Sequence, residues 1–97
     1  MKQLSYNELQ AWQASGREHQ LIDVRETSEH QHFNIGGELM PLSSLLQHLD
    51  RIQPTQPIIV YCKRGIRSQI AIQRLSGRFP TADFYNLQGG ILHLLYP

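Results

Sequence analysis

The 97-residue chain is predicted to be an α/β domain, with a mainly parallel central sheet and helices on both faces. Three observations carry this. Short β-prone runs alternate with segments of helical periodicity, and Gly and Pro punctuate the junctions. One run, Pro57-Ile58-Ile59-Val60-Tyr61, is apolar without alternation, as in a strand covered on both faces. The length suits one domain over residues 1–97, since domains commonly hold about 100 to 200 residues.

The elements follow in order. Ser5-Tyr6-Asn7-Glu8 has the form of a capping box, with Leu4 and Leu9 placed as a hydrophobic staple. A helix therefore starts at Tyr6, turns Leu9 and Trp12 inward and ends near Gly16. Leu21-Ile22-Asp23-Val24 is a short strand. Glu26 to Phe33 is polar and holds one helical turn, and Gly36-Gly37 breaks the chain before Leu39-Met40. Leu42, Leu45, Leu46, Leu49 and Ile52 predict an amphipathic α-helix that Pro54 ends. After the strand through Tyr61, a helix carries Ile66, Ile70, Ala71 and Leu75 on one face and ends at Gly77. Asp83 to Leu87 is a last strand, Gly89-Gly90 a turn and Ile91 to Leu95 a final helical turn.

Composition narrows the function. With 40% hydrophobic and 18% charged residues the chain is ordinary for a globular protein. It has no apolar run near the roughly 18 to 20 residues of a membrane span. The first residues lack the apolar core of a secretory signal, so a cytoplasmic location is expected. The single cysteine, Cys62, excludes an internal disulfide and a Cys-rich zinc site. Charge is uneven: residues 51–82 hold six basic and no acidic side chains, while the rest hold three basic and eight acidic. Cys62 lies in the basic part, which favours an anionic partner.

In α/β sheets ligands sit beyond the carboxyl ends of the strands, where Cys62 falls. Cys62-Lys63-Arg64-Gly65-Ile66-Arg67-Ser68 leads from a buried strand into a helix, so its amides can converge on one point with the helix's first turn. Gly65 permits a positive φ. Lys63, Arg64 and Arg67 add positive charge, which favours an ionised thiol. A thiolate loses intrinsic nucleophilicity as it becomes easier to ionise, however, and the two effects nearly cancel. The cradle is therefore read as binding an anionic substrate, or as holding an anionic covalent product on sulfur.

This segment resembles the active-site loop of the rhodanese (sulfurtransferase) family, C-x-x-G-x-R, through Cys62, Gly65 and Arg67. Leu21-Ile22-Asp23-Val24-Arg25-Glu26 is similar to the family's L-I-D-V-R-E, and Tyr85-Asn86-Leu87-Gln88-Gly89-Gly90-Ile91 to its Y-N-L-x-G-G-I. The resemblance implies transfer of a sulfane sulfur through a Cys62 persulfide. The donor is a small anion such as thiosulfate and the acceptor cyanide or a thiol, including one on a protein. It also implies donor binding by Lys63, Arg64, Gly65, Ile66, Arg67 and Arg25, and support from Asp23 and Ser68. No cofactor, metal, nucleic acid or membrane is implied. The chain departs from the family at Asn34, where a histidine is customary, and at His93-Leu94-Leu95, where a tryptophan is. With one domain, access to Cys62 is expected to be open.

Other readings stand beside this one. Cys62 could be a small core residue, and Arg25 a surface partner of Glu26 or Glu29. His30 and His32 read as solvated loop histidines rather than metal ligands, His48 and His93 as helix-surface residues, and Arg74 and Arg78 as a solvated helix face. A phosphatase or arsenate reductase also needs Cys and Arg around an oxyanion, but those sites resemble C-x5-R, and only four residues separate Cys62 from Arg67. A non-catalytic binding module on the same fold is the remaining alternative. Nucleic-acid binding is disfavoured because no aromatics interleave with the charges.

Overall fold

A computed structural model describes residues 1–97. Five strands, β1 (Lys2–Leu4), β2 (Gln20–Asp23), β3 (Glu38–Leu39), β4 (Ile58–Tyr61) and β5 (Phe84–Leu87), form one sheet in the order β1-β5-β4-β2-β3. Every neighbouring pair is parallel. Between them run α1 (Tyr6–Ala14), α2 (Thr27–His32), a 3-10 segment (Leu42–Arg51), α3 (Ile66–Arg78) and α4 (Leu92–Leu95). The predicted α/β class with a parallel central sheet is what forms. No helix is long and apolar enough to cross a membrane.

β4 explains the architecture. It is the middle strand, and the two-residue period of a strand sends its side chains to opposite faces. Ile58, Val60 and Cys62 join a cluster with Ile22, Val24, Met40, Leu45, Ala71, Ile72 and Leu75, under α3 and the 3-10 segment. Ile59 and Tyr61 join Leu4, Leu9, Leu21, Leu87 and Ile91 on the other face, with Trp12 and Leu94 packed alongside. A strand that must satisfy two cores has no polar face, hence the unbroken apolar run. Each fully buried aliphatic side chain contributes about 1.5 to 3 kcal/mol, so β4 is the energetic centre as well as the geometric one.

The predicted α1 cap is present: the Glu8 N–H donates to Ser5 Oγ at 3.0 Å and the Ser5 N–H to Glu8 Oε1 at 3.0 Å. Gly16 follows the helix at φ +71°. Four details differ from the sequence expectation. β1 is a strand, although Lys2-Gln3-Leu4 is too short to show a period. Residues 42–51 form 3-10 turns, not an α-helix, with breaks at Ser44 and His48. Leu42 and Leu45, like Leu49 and Ile52, are three apart, the repeat of a 3-10 turn, and Leu46 is left half exposed. The inward stripe of α3 is Ser68, Ala71, Ile72 and Leu75, so Ile66 and Ile70 face out. Finally, α3 runs through Gly77 to Arg78.

Candidate active site

Cys62 is the first residue after β4. The chain turns there through Gly65, whose φ of +88° makes it the left-handed cap of α3. This curl brings amides back over the sulfur. The Gly65 N–H donates to Cys62 Sγ at 3.1 Å and the Ser68 N–H at 3.4 Å, while Ser68 Oγ lies 3.4 Å from the same atom. The amides of Arg64, Ile66 and Arg67 make no backbone hydrogen bond, the usual condition of a helix's first turn. Cys62, Lys63, Arg64, Ile66 and Arg67 line a cup of about 330 Å³. Cys62 itself is only 1% exposed. The expected open access is thus corrected to a thiol on the floor of a cup, closed over by its own loop and the first turn of α3.

The polar atoms beneath the cup are mutually fixed. Ser68 Oγ–H donates to Asn86 Oδ1 in a very short contact. Asn86 Nδ2 donates to Gln3 Oε1 at 2.9 Å and reaches toward Gly65 O at 3.5 Å. These partners orient the amide, so its oxygen must face Ser68. The Ser68 hydroxyl thus has two acceptors within reach, Asn86 Oδ1 and Cys62 Sγ, and can turn to the sulfur when that atom carries charge. No buried side-chain polar atom lacks a partner.

The Gly89-Gly90-Ile91 turn holds the cup from behind. The Ile91 N–H donates to the carbonyls of Cys62 at 3.2 Å and Lys63 at 3.0 Å, and the Leu92 N–H to Lys63 O at 2.9 Å. Gly90 (φ +63°) packs so closely that a Cβ there would fall within 2.5 Å of Cys62 O. This explains why the third sequence motif belongs with the first.

The predicted arginines are placed differently from one another. Arg25 is 2% exposed and grips Asp23: its Nε donates to Oδ1 at 2.9 Å and its Nη2 to Oδ2 at 2.8 Å. Its Nη2 also donates to Phe33 O at 2.6 Å, where α2 ends. Arg25 is therefore no surface partner of Glu26 or Glu29. It lines a second cavity of about 210 Å³ with Glu29, His32, Lys63, Leu95 and Tyr96, and is absent from the lining of the Cys62 cup. Burial acts to raise the Asp23 carboxyl, but hydrogen bonds from Arg25 and His30 outweigh it and hold the group below its ordinary value. Burial pushes the Tyr61 phenol up to about 12; its hydroxyl donates to Gly36 O at 3.0 Å.

Arg67 does line the cup, but its guanidinium is bound bidentately by Glu29, at 2.7 and 3.0 Å. Lys63 and Arg64 make no ion pair. The sequence expectation gives Glu29 and His30 only surface or solvated roles, Tyr61 only a place in the strand, and Asn86 and Gly90 only membership of the third motif. The Glu26–Glu29 spacing of a second capping box is a further local signal for Glu29. His30 is not a solvated loop residue: its Nδ1–H donates to Asp23 Oδ2 at 2.8 Å. Asn34 accepts from the Gly36 N–H at 2.9 Å and donates to His30 O at 3.0 Å, closing α2.

A cysteine at the C-terminal end of the central strand, capped by converging amides, is a family-level arrangement. The profile of the Rhodanese-like domain matches residues 5–94. The chain belongs to the rhodanese-like domain family. It is 40% identical over 91 residues to the protein YqhL of Bacillus subtilis, covering 93% of this chain and 69% of that one. It is 37% identical over 81 residues to the adenylyltransferase and sulfurtransferase MOCS3 of Drosophila ananassae, covering 75% of this chain but only 18% of that relative's length. The human single-domain sulfurtransferase TSTD1 superposes with a TM-score of 0.79 at 25% identity, over 98% of this chain and 96% of that one. A rhodanese-like domain protein of Staphylococcus aureus has the same fold, with a TM-score of 0.85 at 22% identity over 95% of this chain and 89% of the other.

Proposed function

We propose that this rhodanese-like domain is a sulfurtransferase that carries a sulfane sulfur on Cys62. The observation that carries the reading is the pair of N–H groups aimed at Cys62 Sγ, from Gly65 and Ser68, in a loop where the amides of Arg64, Ile66 and Arg67 make no backbone bond. The Cys62 thiolate attacks the outer sulfur of a donor such as thiosulfate. A new S–S bond forms, the donor's S–S bond breaks, and sulfite departs with the bonding pair. The persulfide left behind is an anion, and amide dipoles fixed around it stabilise that charge without reorganising. Hydrogen bonds to a charged acceptor are about twice as strong as neutral ones. An acceptor nucleophile, cyanide or a thiol, then removes the outer sulfur and regenerates the thiolate.

Lys63 and Arg64 are the cations free to meet the donor's charged end, and Arg67 adds a third where it is released from Glu29. Sulfurtransferase activity named for relatives such as MOCS3 and TSTD1 supports the reading. A lone free thiol suits a reducing compartment such as the cytoplasm. The spacing of Cys62 and Arg67 gives a cup one residue shorter than C-x5-R, better matched to a sulfur atom than to a phosphate. The test is direct: thiosulfate followed by cyanide should yield thiocyanate, and protein treated with thiosulfate alone should gain the mass of one sulfur atom, removable by cyanide. Cys62→Ser should abolish both. Equal turnover by parent and variant would remove Cys62 from the mechanism, and Cys62-dependent hydrolysis of p-nitrophenyl phosphate would favour the phosphatase reading.

A further inference from the structure

Of the arginines lining the cup and the adjoining cavity, Arg25 is matched by Asp23 and Arg67 by Glu29, whereas Arg64 makes no ion pair. The second pair is the informative one. Arg67 lines the Cys62 cup and Glu29 lines the adjoining cavity, so their ion pair stands as a partition between two spaces that share Lys63. Glu29 is held from behind as well, because the Glu26 N–H donates to Glu29 Oε1 at 3.1 Å across the cap of α2. It is a fixed negative charge, one guanidinium away from the place where a donor's anionic end must lie.

The rest of the rim is organic in character. Ile66 lines the cup and is 65% exposed. Leu95 and Tyr96 line the adjoining cavity, and Lys63 Nζ stands over the Tyr96 ring at 5.7 Å from its centroid. A compact dianion meets only Lys63 and Arg64 as unpaired cations in the cup lining, because Glu29, in the adjoining cavity, neutralises Arg67. An organic carrier finds apolar walls for its body and amides for its sulfur.

We propose that Glu29 is a specificity determinant of the site: by engaging Arg67 it disfavours dianionic donors such as thiosulfate and favours singly charged or neutral sulfur carriers of the hydropersulfide class, R–S–SH. The proposal rests on the sulfurtransferase reading and names its donor class. The step balances: the Cys62 thiolate attacks the terminal sulfur of R–S–SH, the new S–S bond forms as the old one breaks, and R–S⁻ leaves with the electron pair. The persulfide keeps the proton until the site ionises it. No oxidant or reductant is consumed.

Glu29→Gln keeps the shape and the capping geometry, since Gln also serves at that position, and removes the charge. Its removal should raise the rate constant for Cys62 persulfide formation by thiosulfate about 5-fold, the discrimination a unit charge exerts on a dianion about 8 Å away in water-like surroundings. The rate with a simple alkyl hydropersulfide should change less than about 2-fold. Both rates are read by intact mass in single turnover. In the Cys62→Ser protein, where no transfer occurs, the same change should tighten thiosulfate binding about 5-fold by calorimetry. That arm stands whether or not the chain is a sulfurtransferase, whereas absence of the sulfur mass gain in the parent protein would overturn the transfer reading itself. Equal shifts for both donors, a fall in the thiosulfate rate or unchanged binding would each overturn the role of Glu29.

Discussion

Asp23→Asn is the substitution that should damage this domain most for its size. The carboxylate is fully buried and Arg25 is 2% exposed. Asp23 accepts from the Arg25 backbone N–H at 3.0 Å, from the Arg25 guanidinium and from His30. Asn offers one acceptor oxygen where two are used and turns an N–H₂ toward donors, while Arg25 keeps its charge because a guanidinium does not deprotonate in proteins. Removing one partner of a buried pair costs about 3 to 5 kcal/mol, against a total near 5 to 15 kcal/mol for a domain of this size. At about 4 °C or more per kcal/mol, the melting temperature should fall by at least about 12 °C. Urea unfolding at neutral pH, with m unchanged, is the assay. A loss below about 1 kcal/mol would show that water already solvates the Arg25–Asp23 pair and that the burial argument is wrong. The sign with pH follows from the lowered Asp23 carboxyl: the pair's stability is complete above the unfolded value of 3.8 and drains away as pH falls through the lower folded value, so the acid limb of the parent's stability curve should flatten in the variant. Replacing both residues, Asp23→Leu with Arg25→Met, should recover most of the loss, because no buried charge is stranded.

Other substitutions probe the cup. Gly90→Ala should cost about 1 to 3 kcal/mol through overpacking alone and, by pushing on the Cys62 and Lys63 carbonyls, should lower sulfur transfer more than it lowers stability; an active, stable variant would show that this turn does not set the cup. Ser68→Ala removes a hydroxyl that can face the sulfur and leaves buried Asn86 Oδ1 without its donor. It should slow iodoacetamide alkylation of Cys62 at pH 7 about 5-fold, roughly one hydrogen bond, and an unchanged rate would deny the hydroxyl any part in holding the charged sulfur. Hydrogen bonds from Arg67 hold Glu29 at about 2, against an ordinary 4.5. Its contribution should therefore be complete above pH 4.5 and fade toward pH 2, and with both side chains about a third exposed it amounts to about 1 kcal/mol. A stability gap between parent and Glu29→Gln that is equal at pH 7 and pH 2 would contradict this assignment.

What could be read from the sequence depended on how local its cause was. The Ser5–Glu8 cap and the apolar run of β4 are written in adjacent residues, and both appear as expected. The curl at Gly65 needs only a glycine between a strand and a helix. The inward stripe of α3 departs from the expected one because Ser68, a polar residue, faces the core to meet Cys62 and Asn86; counting only apolar positions places Ile66 and Ile70 there instead. The 3-10 turns of residues 42–51 share their leucine spacing with an α-helix over so short a span. Glu29 reaches Arg67 across 38 positions, and Asn86 reaches Gln3 across 83. No periodicity encodes such distances, and the parallel sheet is what closes them.

The pairing of arginines with carboxylates has a consequence for the proposed cycle. Thiolate and persulfide each place one negative charge at residue 62, so the resting charge of the cup is the same in both halves of the reaction. Fixed amides suit a charge that never leaves: they need no counter-ion, and their field is confined to the few ångströms around the sulfur. A ring of unpaired guanidinium groups would instead hold any small oxyanion, including the sulfite just released, and slow each turnover at product departure. Neutralising Arg25 with Asp23 and Arg67 with Glu29 leaves Lys63 and Arg64 to attract donors at the rim, where solvent screens them and departure is quick.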